Sequence, residues 1–270
     1  MQLLIIGGDL RAHGFARLAR TDGHEVFTFG HGEEQASVIP DTYDIVLLPI
    51  PIAEQGGYIP CVLSSEPILL PTISGLLTGG IWGGRQGAML SSVLLKNGLI
   101  CQDPNEIETY AVANAYLSAE GAVVSALARY PDTIKGAPVL VVGYGRIGRS
   151  LVRLLAAWGA DVTVAARDTV QREWAKAEGA KAVDMAELSD AAASNRIIFQ
   201  TAPAMLINEV VIPSIRKGTL VSDLTRSGVD IERASANGLI AWRDSGIPGK
   251  YAPDAAAKIL YDTIMTAHKA

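Results

Sequence analysis

The chain has 270 residues, of which 49% are hydrophobic and 19% charged, with a formal net charge of −5. That length supports one large or two modest domains, and the mild acidity leaves no basic footprint for nucleic acid. Two distant cysteines (Cys61, Cys101) and four histidines (His13, His24, His31, His268) without metal-binding spacing argue against a disulfide framework or a metal site, and fit a reducing cytoplasm. The start MQLLIIGGDLR has no basic n-region or cleavage site, so it reads as a first strand and not as a signal peptide. No stretch stays apolar for the length of a membrane span.

In chain order, residues 3–6 form an apolar run, followed by Gly7-Gly8, a helical stretch over 10–20, Gly23 and a strand at 25–29. A buried-type strand is expected at 44–48, ending at Pro49 with Pro51 closing the turn. Residues 75–87 (GLLTGGIWGGRQG) are the least regular part; the glycines suggest a loop, and a helix start after Gly87 is equally compatible. Residues 99–101 offer a last strand for this half. From 106 to 129 an alanine-rich pattern predicts a long linker helix, interrupted near Leu117-Ser118. A second apolar run at 139–142 leads to Gly143-Tyr144-Gly145, a helix to Trp158, Gly159 and a strand at 161–165. Further strands are expected at 196–200, 219–223 and 239–242, and a helix over 255–269.

The two strand–glycine–helix–strand segments superimpose without a gap. Gly7 maps to Gly143, Arg17 to Arg153 and Gly23 to Gly159, each 136 residues apart (143 − 7). The fold class is therefore α/β, with two doubly wound, Rossmann-like domains of parallel sheet. A long linker helix joins them, and the C-terminal helix returns to the first. Residues 1–112, completed by 252–270, form a flavodoxin- or Rossmann-like substrate domain; residues 113–251 form the dinucleotide domain.

The loop G-Y-G-R-I-G (Gly143, Gly145, Arg146, Ile147, Gly148) follows a strand and opens a helix. Gly143 permits the tight turn, Gly145 the approach of a pyrophosphate, and Gly148 close helix–sheet packing. The alternative is a degenerate Rossmann domain that binds nothing. At the end of the second strand an NAD site needs a carboxylate, yet this chain has Ala166 followed by Arg167. A guanidinium there can clamp a 2′-phosphate, which favours NADP; a register shift would let Asp168 serve NAD instead. In the first copy Asp9 replaces the glycine equivalent to Gly145 and would repel a pyrophosphate. Asp9 is either the N-cap of its helix or half of a charged pair with Arg11 at a ligand-binding strand end. N-A-Y-L-S-A-E-G (114–121) contains Ser118 and Glu120, a capping arrangement on its bland reading. Q-T-A-P-A-M (200–205) carries Thr201, Ala202 and Pro203 in a loop that would cover a cofactor. D-L-T-R-S-G (223–228) ends the next strand with Asp223 on the same side, and G-I-P-G-K-Y-A-P (246–253) stiffens the turn before the last helix.

Over nearly its whole length this set resembles the A subunit family of dipicolinate synthase from spore-forming bacteria. The resemblance rests on I-G-G-D-x-R, N-x-x-x-S/T-x-E-G, V-x-G-x-G-R-x-G followed by V-x-x-A-R, T-x-P-x-M-x-x-N and G-x-P-G-x-x-A-P. It implies a two-domain subunit with a nicotinamide-cofactor domain that works with a flavoprotein B subunit carrying the flavin; the cofactor expected here is NADP (or NAD), and a homo-oligomer is expected. The implied reaction oxidises a dihydro- or hydroxytetrahydro-dipicolinate to pyridine-2,6-dicarboxylate during sporulation. The resemblance makes Arg11 the candidate clamp for a small dicarboxylate, with Asp9 beside it. Ser118 and Glu120 match the family's hydroxyl and acid, Glu120 being the candidate proton acceptor. Two positions depart from the pattern: Leu117 stands where a proline precedes the hydroxyl, and D-L-T-R-S-G is shorter than D-L-A-S-x-P-G-G. The rival readings are a non-catalytic NADP-binding scaffold for the flavoprotein and a 2-hydroxy or 2-amino acid dehydrogenase. The latter wants a histidine in the nicotinamide domain, and beyond His31 only His268 exists.

Overall fold

The computed structural model describes residues 1–31, 40–50, 52, 58–59, 61–62, 64, 68–84 and 87–269. The chain divides into two compact units, residues 1–114 with 248–270, and residues 115–247.

The first unit begins with β1 (Gln2–Ile6), α1 (Leu10–Thr21), β2 (Glu25–Phe29) and β3 (Ile45–Leu47). A short antiparallel hairpin, β4 (Tyr58–Ile59) and β5 (Ile68–Leu69), precedes α2 (Leu70–Ile73). Then come β6 (Gly80–Trp82), α3 (Ala88–Lys96) and β7 (Cys101–Gln102). Among the described residues the main sheet is parallel, in the order β2-β1-β3-β6-β7. Along β1 the side chains alternate between two cores, as a pleated strand requires. Leu3 and Ile5 pack with Phe15 and Leu260 on one face, Leu4 and Ile6 with Val46 and Leu90 on the other.

The linker helix α4 (Glu108–Leu127) leads into the second unit. There follow β8 (Pro138–Val142), α5 (Arg146–Ala157), β9 (Asp161–Ala165), α6 (Thr169–Ala177), β10 (Lys181–Val183), α7 (Leu188–Ser194), β11 (Ile197–Gln200), β12 (Leu220–Asp223), α8 (Ile231–Ala236) and β13 (Ile240–Arg243). The sheet is parallel throughout, in the order β10-β9-β8-β11-β12-β13, so the strand order reverses between β8 and β11. Ligands bind such sheets at the carboxyl ends of the strands flanking that reversal. The chain ends with α9 (Ile247–Tyr251) and α10 (Pro253–Lys269).

The internal repeat is reproduced to the residue: β1, α1 and β2 have the bounds of β8, α5 and β9 shifted by 136 (146 − 10). Gly23 and Gly159 share φ values of 79° and 78°, a conformation that glycine adopts at little cost. The C-terminal helix belongs to the first unit. Gly14 of α1 has Ala257 of α10 where a β-carbon would project, the Phe15 and Tyr261 rings meet edge-on at 5.2 Å, and the Tyr261 hydroxyl donates to Asp22 at 2.8 Å.

Two expectations fail. The linker helix is not interrupted near Leu117-Ser118; nothing in that stretch removes a backbone donor, and Leu117, Ser118 and Ala119 are all buried. Residues 75–87 are not all loop, because β6 lies within them and pairs with β3 and β7. Its flanking glycines serve close packing: a side chain on Gly83 would press on Leu48 and Ile52. The turn expected at Pro51 lies outside the described residues.

Candidate functional site

At the carboxyl ends of β8, β9 and β11, the second unit has a cavity of about 770 Å³, lined among others by Gly143, Tyr144, Gly145, Ala166, Arg167 and Thr201. That volume lies in the range of cofactor-sized pockets. Gly143 has φ +97°, and a β-carbon there would press on Thr201 and Ala202. A β-carbon on Gly148 would collide with the Gly143 carbonyl oxygen, so Gly148 is what lets α5 sit this close to the loop. Gly145 differs from both. Its φ is an ordinary −79°, and nothing lies within 4 Å of the place a β-carbon would take. Among the described residues nothing occupies that space. Gly145 is also the N-cap of α5 without a side-chain hydrogen bond. The first backbone N–H groups of α5 therefore face a cradle suited to a pyrophosphate.

The first unit holds the same helix start in a closed form. Asp9 stands at the position of Gly145; its carboxylate accepts from the Arg11 backbone N–H at 3.0 Å and pairs with the Arg11 side chain, Nη2 to Oδ2 2.8 Å. The carboxylate thus caps the helix and pairs with Arg11 at once.

The phosphate loop is tied down from below. Tyr144 is buried, and its hydroxyl donates to Glu178 at 2.8 Å, while Arg153 pairs with the other Glu178 oxygen at 2.9 Å. Burial and the neighbouring Glu178 carboxylate push the Tyr144 phenol up to about 12. Burial alone would raise Glu178, but the hydrogen bonds from Tyr144 and Arg153 hold it below its ordinary value. Thr201 Oγ1 lies 2.9 Å from the Val142 carbonyl oxygen. Fully buried Gln200 donates to the carbonyls of Ala202 and Ala204, at 2.9 and 3.0 Å, and so sets the 201–204 loop. The sequence offered no signal for Gln200 or Glu178, whose partners are fixed by the tertiary fold.

At the β9 end, Ala166 is buried and Arg167 exposed. Among the described residues no acceptor is bonded to the Arg167 guanidinium; only its backbone carbonyl is engaged, by Arg172. Asp168 is the N-cap of α6, its carboxylate accepting from Gln171 N–H at 3.0 Å.

Asp223 is placed otherwise than as an open cofactor contact. It is fully buried, and its carboxylate accepts from the Thr225 hydroxyl and from the backbone N–H groups of Thr225, Gly228 and Val229. Its carboxylate folds the D-L-T-R-S-G loop.

Arg11 also departs from the open cationic clamp. It is 6% exposed, its guanidinium bonded to both Asp9 oxygens and to the Ile50 carbonyl oxygen. Burial opposes its charge, and Asp9 more than offsets that, holding its pKa above the ordinary arginine value. The cavity beside it within the first unit, about 10 Å³, has room for one water. Ser118 and Glu120 both lie on α4, with Ser118 buried and Glu120 half-buried. In an unbroken helix, residues two apart point to different faces. Glu120 shares its row with Tyr116 and Val124, both exposed; Ser118 shares its own with Ser125, which donates to buried Asp244 at 2.9 Å.

Among the described residues no helix is long and apolar enough to cross a membrane, and no group of three His, Cys, Asp or Glu side chains could hold a metal ion.

Residues 110–237 match the family described as D-isomer specific 2-hydroxyacid dehydrogenase, NAD binding domain. The A subunit of dipicolinate synthase from Bacillus subtilis (strain 168) is 27% identical over 280 residues, covering 98% of this chain and 94% of that protein. The crystal structure of the A subunit of dipicolinate synthase from Bacillus halodurans matches with a TM-score of 0.90 at 27% identity, covering 100% of this chain and 98% of that one. The corresponding Bacillus subtilis structure matches with a TM-score of 0.85 at 26% identity, covering 99% and 96%. The resemblance read from the residues is borne out, and the matched domain supports a nicotinamide cofactor and a dehydrogenase-like role.

Proposed function

We propose that this relative of the dipicolinate synthase A subunits is an NADP-dependent oxidoreductase that forms dipicolinate with a flavoprotein partner, as a homo-oligomer in the cytoplasm of a sporulating cell. The observation that carries the cofactor half is the contrast between the two copies of one motif. The α1 start is closed by the Asp9 carboxylate, and the α5 start is left open by Gly145. Gly143, Gly145, Arg146, Ile147 and Gly148 would hold the pyrophosphate, and Thr201, Ala202 and Pro203 would border the cofactor. Asp223 would act through the loop it folds. Arg167, exposed beside a ribose position without a carboxylate, would take the 2′-phosphate. Asp168 is committed to capping α6, which favours NADP over NAD.

When bound, the nicotinamide accepts a hydride. Loss of a hydride and a proton from a dihydropyridine dicarboxylate gives the aromatic product, and Glu120 is the group assigned to receive the proton. Ser118, on another face of α4, would bind or orient the substrate and not relay that proton. Asp9 and Arg11 enter as a unit: a substrate carboxylate must compete with Asp9 for the guanidinium, so any contact runs through the pair. The 2-hydroxyacid dehydrogenase reading shares the NAD-binding domain but finds no histidine between His31 and His268 to act as its acid–base group.

The test is turnover of dihydrodipicolinate with NADP⁺ by the chain together with its flavoprotein partner. Dipicolinate and NADPH should form together, and Glu120→Gln should lower kcat by about 100-fold, the scale of a lost general base. Unchanged turnover in Glu120→Gln would remove its role. No turnover despite bound cofactor would favour the scaffold.

A further inference from the structure

Arg172 was not singled out by the sequence, and it reaches four groups at the ends of β9 and β10 beside the cavity. Its Nη1 lies 2.7 Å from the Ala166 carbonyl oxygen, 2.8 Å from that of Arg167 and 2.6 Å from Asp184 Oδ2. Its Nη2 donates to Thr169 Oγ1 at 3.0 Å. The side chain is 17% exposed. Ala166, Arg167, Asp168 and Met185, the last next to Asp184, all line the cavity. One guanidinium therefore ties the end of β9 to the end of β10, beside the residues that line the cavity at Arg167.

We infer that Arg172, held by Asp184, is a positioning residue for nucleotide selectivity. It grips the backbone at 166 and 167, so that the Arg167 guanidinium is presented while the Asp168 carboxylate stays on α6. This rests on the reading that Arg167 takes a 2′-phosphate. The planar fork suits the task, since it can bond two carbonyl oxygens, a hydroxyl and a carboxylate from one fixed plane. Nη1 and Nη2 of Arg172 are already engaged within the chain, by the two carbonyls, Thr169 and Asp184.

The experiment measures Kd for NADPH and NADH by calorimetry on the full chain, wild type and three variants, with Tm measured alongside. Asp184→Asn keeps the N-cap of the following turn, since asparagine caps as well as aspartate, and removes the ion pair. It should cut the NADPH-over-NADH preference by about fivefold, the scale of one partly exposed ion pair, with NADH affinity unchanged. Arg172→Met should cut it further, and Arg167→Ala should abolish it. If Arg167→Ala abolishes the preference but Asp184→Asn leaves it unchanged, the positioning role is wrong and the NADP reading stands. A stronger preference in Asp184→Asn would make Arg172 itself a phosphate ligand and also overturn the inference. If the wild type has no preference for NADPH, or Arg167→Ala does not change it, the NADP reading fails and this inference with it. Should Arg172→Met not fold, Asp184→Asn alone decides.

Discussion

Substituting Gly145 and Gly148 separately distinguishes space kept for a ligand from space needed by the fold. A methyl at 145 meets nothing within 4 Å, and the backbone φ of −79° suits alanine. Gly145→Ala should therefore cost less than about 1 kcal/mol of stability, the modest scale of exchanging an uncharged N-cap residue. It should weaken cofactor binding about 10- to 100-fold, because displacing the pyrophosphate costs at least one charge-assisted hydrogen bond to the helix start. Gly148→Ala drives a methyl into the Gly143 carbonyl, and such overpacking against backbone costs about 2–3 kcal/mol. Gly145→Asp copies the Asp9 arrangement and should abolish binding by placing a negative charge against the phosphates. Chemical denaturation gives the stabilities, and calorimetry with NADPH gives the affinities. Normal affinity in folded Gly145→Ala would refute the cradle.

Other substitutions separate roles within the site. Asp223→Ala leaves several buried donors without an acceptor and should cost about 3–5 kcal/mol in denaturant unfolding; a stable variant that only loses cofactor affinity would restore it as a direct ligand. Arg11→Ala strands the Asp9 carboxylate and should cost about 3 kcal/mol, toward the low end for a broken buried pair because the Asp9 side chain is 27% exposed; unchanged unfolding in denaturant would contradict the pair. Glu178 has a lowered folded pKa, so its contribution is present above its ordinary value of 4.5 and is lost as pH falls below it. Tm measured against pH should therefore fall less steeply on the acid side in Glu178→Gln than in the wild type, and equal slopes would contradict the clasp on Tyr144.

The parts of the fold legible in the sequence were those in which local pattern and tertiary role agree. β2 and β9 were placed to the residue, and the helices between the paired strands to within one, because short aliphatic runs and glycines at both helix ends specify them. β6 was hidden since its three residues, Gly80–Trp82, sit among glycines chosen for packing, which read as loop. The two-residue strands of the β4–β5 hairpin carry too little pattern to register. In the site, the glycine loop was visible because backbone chemistry dictates it, and Arg167 because it follows Ala166, which stands where a ribose-binding carboxylate would be expected. Asp223 and Arg11 were visible as charges, but their partners, Val229 and Ile50 among them, are set by the fold. Tyr144 with Glu178, and Arg172 with Asp184, escaped for the same reason: each joins residues a dozen or more positions apart.

The most direct measurement is a calorimetric titration of the wild-type chain with NADPH and, in parallel, NADH. Saturable one-site binding with a clear preference for NADPH is the expected result. No binding of either nucleotide, or a clear preference for NADH, would contradict the reading of Gly145 and Arg167 on which the proposed function stands.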